Sequence, residues 1–317
     1  MEKGKQGFVL RAALTALLLL GAVANATPST KTGSNGATLD FVASPYADFL
    51  FYLLHRDNAN FPDLRASVPL DGVKELNTGM FLPAYVMASD VRSYDDLYKL
   101  AYTYDDSTVL VDTLRQGEPR FHAFMSYWQQ HVEPVEQATI AAWKAEEAKS
   151  HNVERLEQLT RMRFPYASVK VAVIALGPLG KNMENPPIMF ATMKDADLSA
   201  VVGYEGTHMM MNGHDGGWKK RKNATRAIDA ISTRGGTSYD IEEALCLLMQ
   251  SKLPTSYGDG HEVAASDAGD TPRRVLLRAM ERDWNRYRAD ASMNAADFAI
   301  DETIRTFGAG NVADTTH

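Results

Sequence analysis

One apolar segment of this chain carries a glutamate and a histidine in its middle. It reads Leu198-Ser-Ala-Val-Val-Gly-Tyr204-Glu205-Gly206-Thr207-His208-Met-Met-Met211. Its spacing predicts a helix that is apolar nearly all round and therefore buried on most sides. A carboxylate buried without a partner is costly or takes up a proton, so Glu205 needs a cation or hydrogen-bond donors. Tyr204 and His208 stand one helical turn apart and face the same way, with Glu205 beside that face. Glu205 is thereby within reach of a group held by residues 204 and 208. Gly203 and Gly206 each cost about 1 kcal/mol in a helix interior. Their missing side chains predict a close approach by another chain segment or by a substrate.

The run Tyr204-Glu205-Gly206-Thr207-His208 resembles the H-E-x-x-H helix of zinc metallopeptidases, with tyrosine at the place of the first histidine. In that motif two histidines at i and i+4 hold zinc and the glutamate is the general base. The resemblance implies Glu205 as general base, His208 as a zinc ligand, and Tyr204 as an oxygen ligand or a transition-state donor. A phenol ionises near pH 10, so tyrosine binds zinc only where the metal drives that ionisation. The local pattern resembles the gluzincin branch most, in which a glutamate on a later helix is the third protein ligand. Tyr239-Asp240-Ile241-Glu242-Glu243-Ala244-Leu245 opens such a helix. Glu243, 35 residues beyond His208 and followed by a small residue, resembles the ligand, with Glu242 as the alternative. The metzincin branch instead puts a third histidine where His214 stands, but wants glycine where Met211 stands. The order strand, loop, strand, helix is also similar to zincin domains, and the resemblance covers about residues 166–252.

What the resemblance implies is an exported zinc metallopeptidase-like hydrolase. It would cleave a peptide or protein substrate with a metal-activated water. With Tyr204 outside the shell, two protein ligands remain, one fewer than catalytic zinc sites use. A second reading is therefore a pseudopeptidase that binds a peptide or protein partner without turnover. A third is a metal-free exported helical binding protein. There Glu205 and His208 hydrogen-bond inside a core, and Glu242 and Glu243 are the acidic first turn of a helix.

The elements that must position these residues form an expected α+β chain. A helical N-terminal part, residues 39–163, precedes a zincin-like part, residues 164–317, with a small sheet and an active-site helix. In the first part the spacing predicts helices over Tyr46–Leu54, Asp95–Tyr104, Phe121–His131 and Val135–Glu147. Asp48 falls in the first turn of the first helix, and Pro134 marks the start of the last. In the second part, Ser168–Leu176 and Pro187–Thr192 read as strands, separated by the breaker Gly177-Pro178-Leu179-Gly180. Asp195 or Asp197 is placed to cap the helix that follows. Tyr239–Lys252, Thr271–Arg288 and Asn294–Phe307 read as helices, with a Gly/Asp/Ser loop over Pro254–Asp270.

Residues 1–26 read as a secretory signal peptide. Lys3, Lys5 and Arg11 precede or open a short apolar run, and Ala24-Asn25-Ala26 is an A-x-A cleavage site. Residues 27–38, polar with Pro28, Gly33 and Gly36, read as a flexible leader. The expected location is periplasmic or extracellular, with no membrane span after signal cleavage. A formal net charge of −7 without a basic block argues against nucleic acid, whose affinity comes from phosphate neutralisation. The single cysteine, Cys246, excludes an intrachain disulfide and an all-cysteine metal site. It lies in the apolar run Ala244–Met249 and is expected to be buried.

Overall fold

The computed structural model describes residues 37–56, 60–74, 82–89, 91–103, 107–177, 181–185, 187–192, 197–213, 217–253 and 271–308. The segment read as a signal peptide, nearly all of the leader, His214 and the loop over 254–270 lie outside the described residues. Helices dominate, around one four-stranded sheet, in keeping with an α+β class. The strands are β1 (Thr38–Val42), β2 (Ser168–Ile174), β3 (Lys181–Glu184) and β4 (Pro187–Thr192). Their order is β1-β2-β4-β3. Both β1 and β4 run parallel to β2, and β3 lies antiparallel at the edge.

The two central strands are covered on both faces. Val169, Val171 and Val173 of β2 enter one core with Met189 and Ala191 of β4. Ala172 and Ile174 enter the other with Ile188 and Phe190. Side chains alternate across a strand, so a strand buried on both faces reads as a continuous apolar run. The two short strands differ from expectation. Thr38–Val42 falls where the sequence reads as the end of a leader and the start of helices. Its parallel register, Leu39 against Val169 and Phe41 against Val171, comes from the partner strand. Lys181–Glu184 pairs on one side only, with Asn182 opposite Met189.

Before β2 come α1 (Pro45–Leu54), α2 (Leu64–Ser67), α3 (Leu82–Ala88), α4 (Tyr94–Ala101), α5 (Ser107–Tyr127), α6 (Glu133–Ser150) and α7 (Asn152–Thr160). A π-helical turn, Trp128–Val132, joins α5 to α6 without a break at Pro134, which sits in the first turn where its missing N–H is tolerated. After β4 come α8 (Leu198–Asn212), α9 (Ala224–Ser232), α10 (Ser238–Lys252), α11 (Pro272–Arg282), α12 (Trp284–Ala289) and α13 (Ala295–Phe307). The helix expected over Thr271–Arg288 breaks at Asp283. The early helices α1 to α5 cover one sheet face. The later ones, with α6 and α7, cover the other. No helix among the described residues is long and apolar enough to cross a membrane.

Asp48 does more than sit in a first turn. It is fully buried and accepts from Trp128 Nε1 at 3.0 Å and from the Leu176 amide at 3.3 Å. Glu136 of α6, also fully buried, accepts from the neighbouring Ala175 amide at 2.8 Å, which puts its carboxyl beside that of Asp48. Two facing carboxyls thus hold the backbone just beyond β2.

Candidate functional site

The site stands on α8 and α10. Asp197 precedes α8 but gives it no side-chain cap. Glu146 of α6 does so from a distance, accepting from the Leu198 amide at 3.3 Å and the Ser199 amide at 3.0 Å. A carboxylate there satisfies free amides and favours the positive end of the helix dipole. Gly203 then lets α10 come close. A Cβ at that position would lie 2.9 Å from Gln250 Cα. The segment that approaches is therefore the chain's own α10. At Gly206 the nearest neighbour is a side-chain end, Leu156 Cδ2 at 2.9 Å. A capping box of Thr237 and Asp240 opens α10 and fixes where its first turn lies.

Across this contact the side chains of His208, Glu242 and Glu243 meet, all of them buried. His208 Nδ1 lies 2.6 Å from Glu242 Oε1, and Nε2 lies 3.2 Å from Glu243 Oε1. The latter is a contact of opposite charge rather than a directed hydrogen bond, and Glu243 Oε1 has no hydrogen-bond partner. Asn212, one turn beyond His208, also donates to Glu242. Tyr204 donates its hydroxyl to Glu243 Oε2 at 2.6 Å, and Arg273 Nη1 of α11 is 3.5 Å from the same oxygen. Tyr239, exposed at the rim, stacks parallel on the His208 ring at 6.2 Å between centroids. Glu205 is held from the sheet, where Asn182 Nδ2 of edge strand β3 donates to its Oε2 at 2.6 Å. The two carboxylates that sequence left as alternatives therefore divide the imidazole between them, Glu242 on Nδ1 and Glu243 on Nε2.

Electrostatics follows from this packing. Burial alone would raise the Glu243 carboxyl, but the His208 imidazole and the hydroxyls of Tyr204 and Tyr239 hold it down at about 2. Burial and the hydrogen bond to Glu243 push the Tyr204 phenol far above its ordinary range. At neutral pH Tyr204 is therefore a hydrogen-bond donor, and its oxygen is not a phenolate. Burial alone would lower His208, yet its polar neighbours Cys246, Glu242 and Glu243 hold it above its ordinary value. The Cys246 thiol is pushed up to about 12 by burial, against the pull of His208. It stays protonated, so the negative charge facing His208 comes from the two glutamates.

Among the described residues, no three His, Cys, Asp or Glu side chains already form a group that could hold a metal ion. The two donors facing each other do match part of a shell. Zinc bonds of 2.0–2.1 Å in a tetrahedral shell put neighbouring ligand atoms about 3.3 Å apart. His208 Nε2 and Glu243 Oε1 stand 3.2 Å apart, and that oxygen is a buried atom with no other partner. Glu242 on Nδ1 stands where an outer carboxylate would fix the tautomer of a histidine that bound metal through Nε2. No protein-family model, no curated protein and no solved structure matches the chain.

Sequence reasoning did not single out Asn182, Glu146, Arg273 or the neighbourhood of Cys246. Asn182 and Glu146 reach the site through tertiary packing and carry no local signal. Cys246 does carry one, since it follows Glu242 by four residues and Glu243 by three on the same helix.

Proposed function

We propose that the α8–α10 cleft is a zincin-type site of an exported peptide hydrolase. The observation that carries this reading is the buried Glu243 Oε1, which has no hydrogen bond and lies 3.2 Å from His208 Nε2. His208 and Glu243 would hold zinc between them. Zinc bound there supplies an activated water at neutral pH and polarises a substrate carbonyl.

The chain's own residues do the rest. Glu205 takes the proton from the attacking water at a carboxylate oxygen and returns it to the leaving amine. Asn182 fixes Oε2 of that carboxylate and so aims the other oxygen. Glu242 accepts from Nδ1, so Nε2 is the atom that would bind metal once it has given up its proton. Tyr204 anchors Glu243 through Oε2 and leaves Oε1 for the metal. The order β2, β3, β4, α8, with an antiparallel edge strand touching the general base, is a further support.

One observation favours the pseudopeptidase reading instead: Tyr204 stands where the first histidine is expected, and its hydroxyl is already spent on Glu243. Zinc content and peptide-library cleavage decide between them. Protein purified without chelator should carry zinc that His208→Ala lacks. It should also cleave peptides, which Glu205→Gln should not. Zinc without cleavage would leave the pseudopeptidase. Equal metal content in wild type and His208→Ala would remove both.

A further inference from the structure

α11 and α13 share one core, to which α11 gives Leu276 and Met280 and α13 gives Phe298 and Ile300. The two helices also line a cavity of about 440 Å³, walled by Val275, Arg278, Ala279 and Arg282 of α11 and by Arg305 and Thr306 of α13. Its described wall carries three guanidiniums and no carboxylate, in a chain whose formal net charge is −7. Arg278 and Arg282 stand one helical turn apart, where like charges destabilise a helix, so the fold gains nothing from gathering them. The carboxylates that meet these arginines engage them at one edge. Asp283 Oδ1 is 3.3 Å from Arg282 Nε, and Glu302 Oε1 is 3.9 Å from Arg305 Nε. Glu302 is itself bound to Arg286. Among the described residues, the Nη atoms of Arg282 and Arg305, the forked end of each guanidinium, have no partner.

We propose that this cavity binds a small phosphorylated ligand, a phosphate monoester or a diphosphate, through Arg278, Arg282 and Arg305. A guanidinium matches phosphate oxygens with two parallel N–H bonds. A polyvalent anion also answers three positive charges where a single carboxylate answers one. The volume falls in the range of small-molecule sites. Thr306 adds a hydroxyl to the wall, and Val275 and Ala279 add a small apolar part. The geometry favours a free ligand over a phospholipid headgroup. Binding at a lipid surface adds apolar side chains that enter the acyl boundary, and the exposed large hydrophobic residues, Tyr85, Tyr102, Val109 and Tyr239, lie on neither helix. The cavity shares no residue with the α8–α10 cleft, so it stands whether or not that cleft binds metal.

The test is calorimetric titration of the full chain with inorganic pyrophosphate at physiological ionic strength, where diffuse attraction is screened. The expected result is saturable binding at one site, weaker by about tenfold or more in Arg282→Gln and in Arg305→Gln, since each loses hydrogen bonds to a charged group. Their side chains are 69% and 54% exposed, so both variants should keep the fold, which circular dichroism checks. Arg234→Gln is the control. Arg234 lines a neighbouring cavity at the end of α13, whose wall includes the carboxylate of Asp229, and the variant should bind as wild type does. Equal weakening by all three variants would show unspecific attraction and overturn the site. Absence of saturation in wild type, or binding that Arg282→Gln and Arg305→Gln leave unchanged, would overturn it too. Sedimentation with phosphatidylglycerol vesicles separates the two sources of phosphate. Binding to vesicles that requires Arg282 and Arg305, with none to pyrophosphate, would overturn the free ligand.

Discussion

Gly203→Ala tests whether the contact between α8 and α10 sets the spacing of the site. The added Cβ would stand 2.9 Å from Gln250 Cα, 3.1 Å from Leu253 Cδ1 and 3.2 Å from the Gln250 amide nitrogen. Ordinary carbon contacts are about 3.5–4.0 Å, and the nearest neighbour is backbone that cannot rotate away. The helices must part by about 0.6 Å. Alanine gains about 1 kcal/mol of helix propensity, while overpacking costs about 1–3 kcal/mol. The net destabilisation is about 0–2 kcal/mol, which moves Tm by no more than about 8 °C. The site should suffer more. Widening the 3.2 Å separation of His208 Nε2 and Glu243 Oε1 to about 3.8 Å opens the angle at a shared zinc to about 130°, against about 109° in a tetrahedral shell. Zinc affinity should therefore fall by more than about tenfold, a loss comparable to losing an outer partner, with only a small loss of stability. Gly206→Ala is the control, since its close neighbour is the far end of a leucine side chain. Competition with a chelator and thermal melting of the three proteins give the two readouts. Unchanged zinc affinity in Gly203→Ala would refute the claim that this helix contact sets the donor spacing.

Tyr204→His should tighten zinc by supplying a neutral nitrogen one turn before His208, and Tyr204→Phe should weaken it by freeing Glu243 Oε2; equal affinities across the three proteins would place residue 204 outside the site. Glu146→Ala removes the distant cap of α8 and should cost about 1 kcal/mol, read by chemical denaturation; a change within error would mean that water caps those amides equally well. Burial raises both the Asp48 and Glu136 carboxyls, and the Asp48 charge raises Glu136 further. The folded pair therefore keeps a proton that the unfolded chain loses near pH 4. Its contribution to stability is full below that pH and is lost as pH rises through the folded values, by at most about 1.4 kcal/mol per pH unit for one proton. Melting from pH 5 to 9 should show this decline, and Glu136→Gln should flatten it; parallel pH curves would contradict the shared proton.

The parts of this protein that sequence made legible are those whose signal is local. The Val-rich run of β2 and the apolar run of α8 carry their own periodicity, because burial on all sides demands apolar residues throughout. Tyr204, Glu205 and His208 announced themselves by sitting where charge is costly. Glu242 and Glu243 were legible as a pair at a helix start, but helix spacing alone left both as possible partners of His208. Tertiary structure divided them, giving Nδ1 to Glu242 and Nε2 to Glu243. Tertiary structure also decided β1, whose five residues become a strand because β2 offers a free edge. It brought Asn182 to Glu205, Glu146 to the start of α8, and Asp48 to Glu136 across long stretches of chain. The physical reason is common to all of these. A buried polar group must find a partner, and a sequence states the need while only the packed chain determines which partner lies within 3 Å.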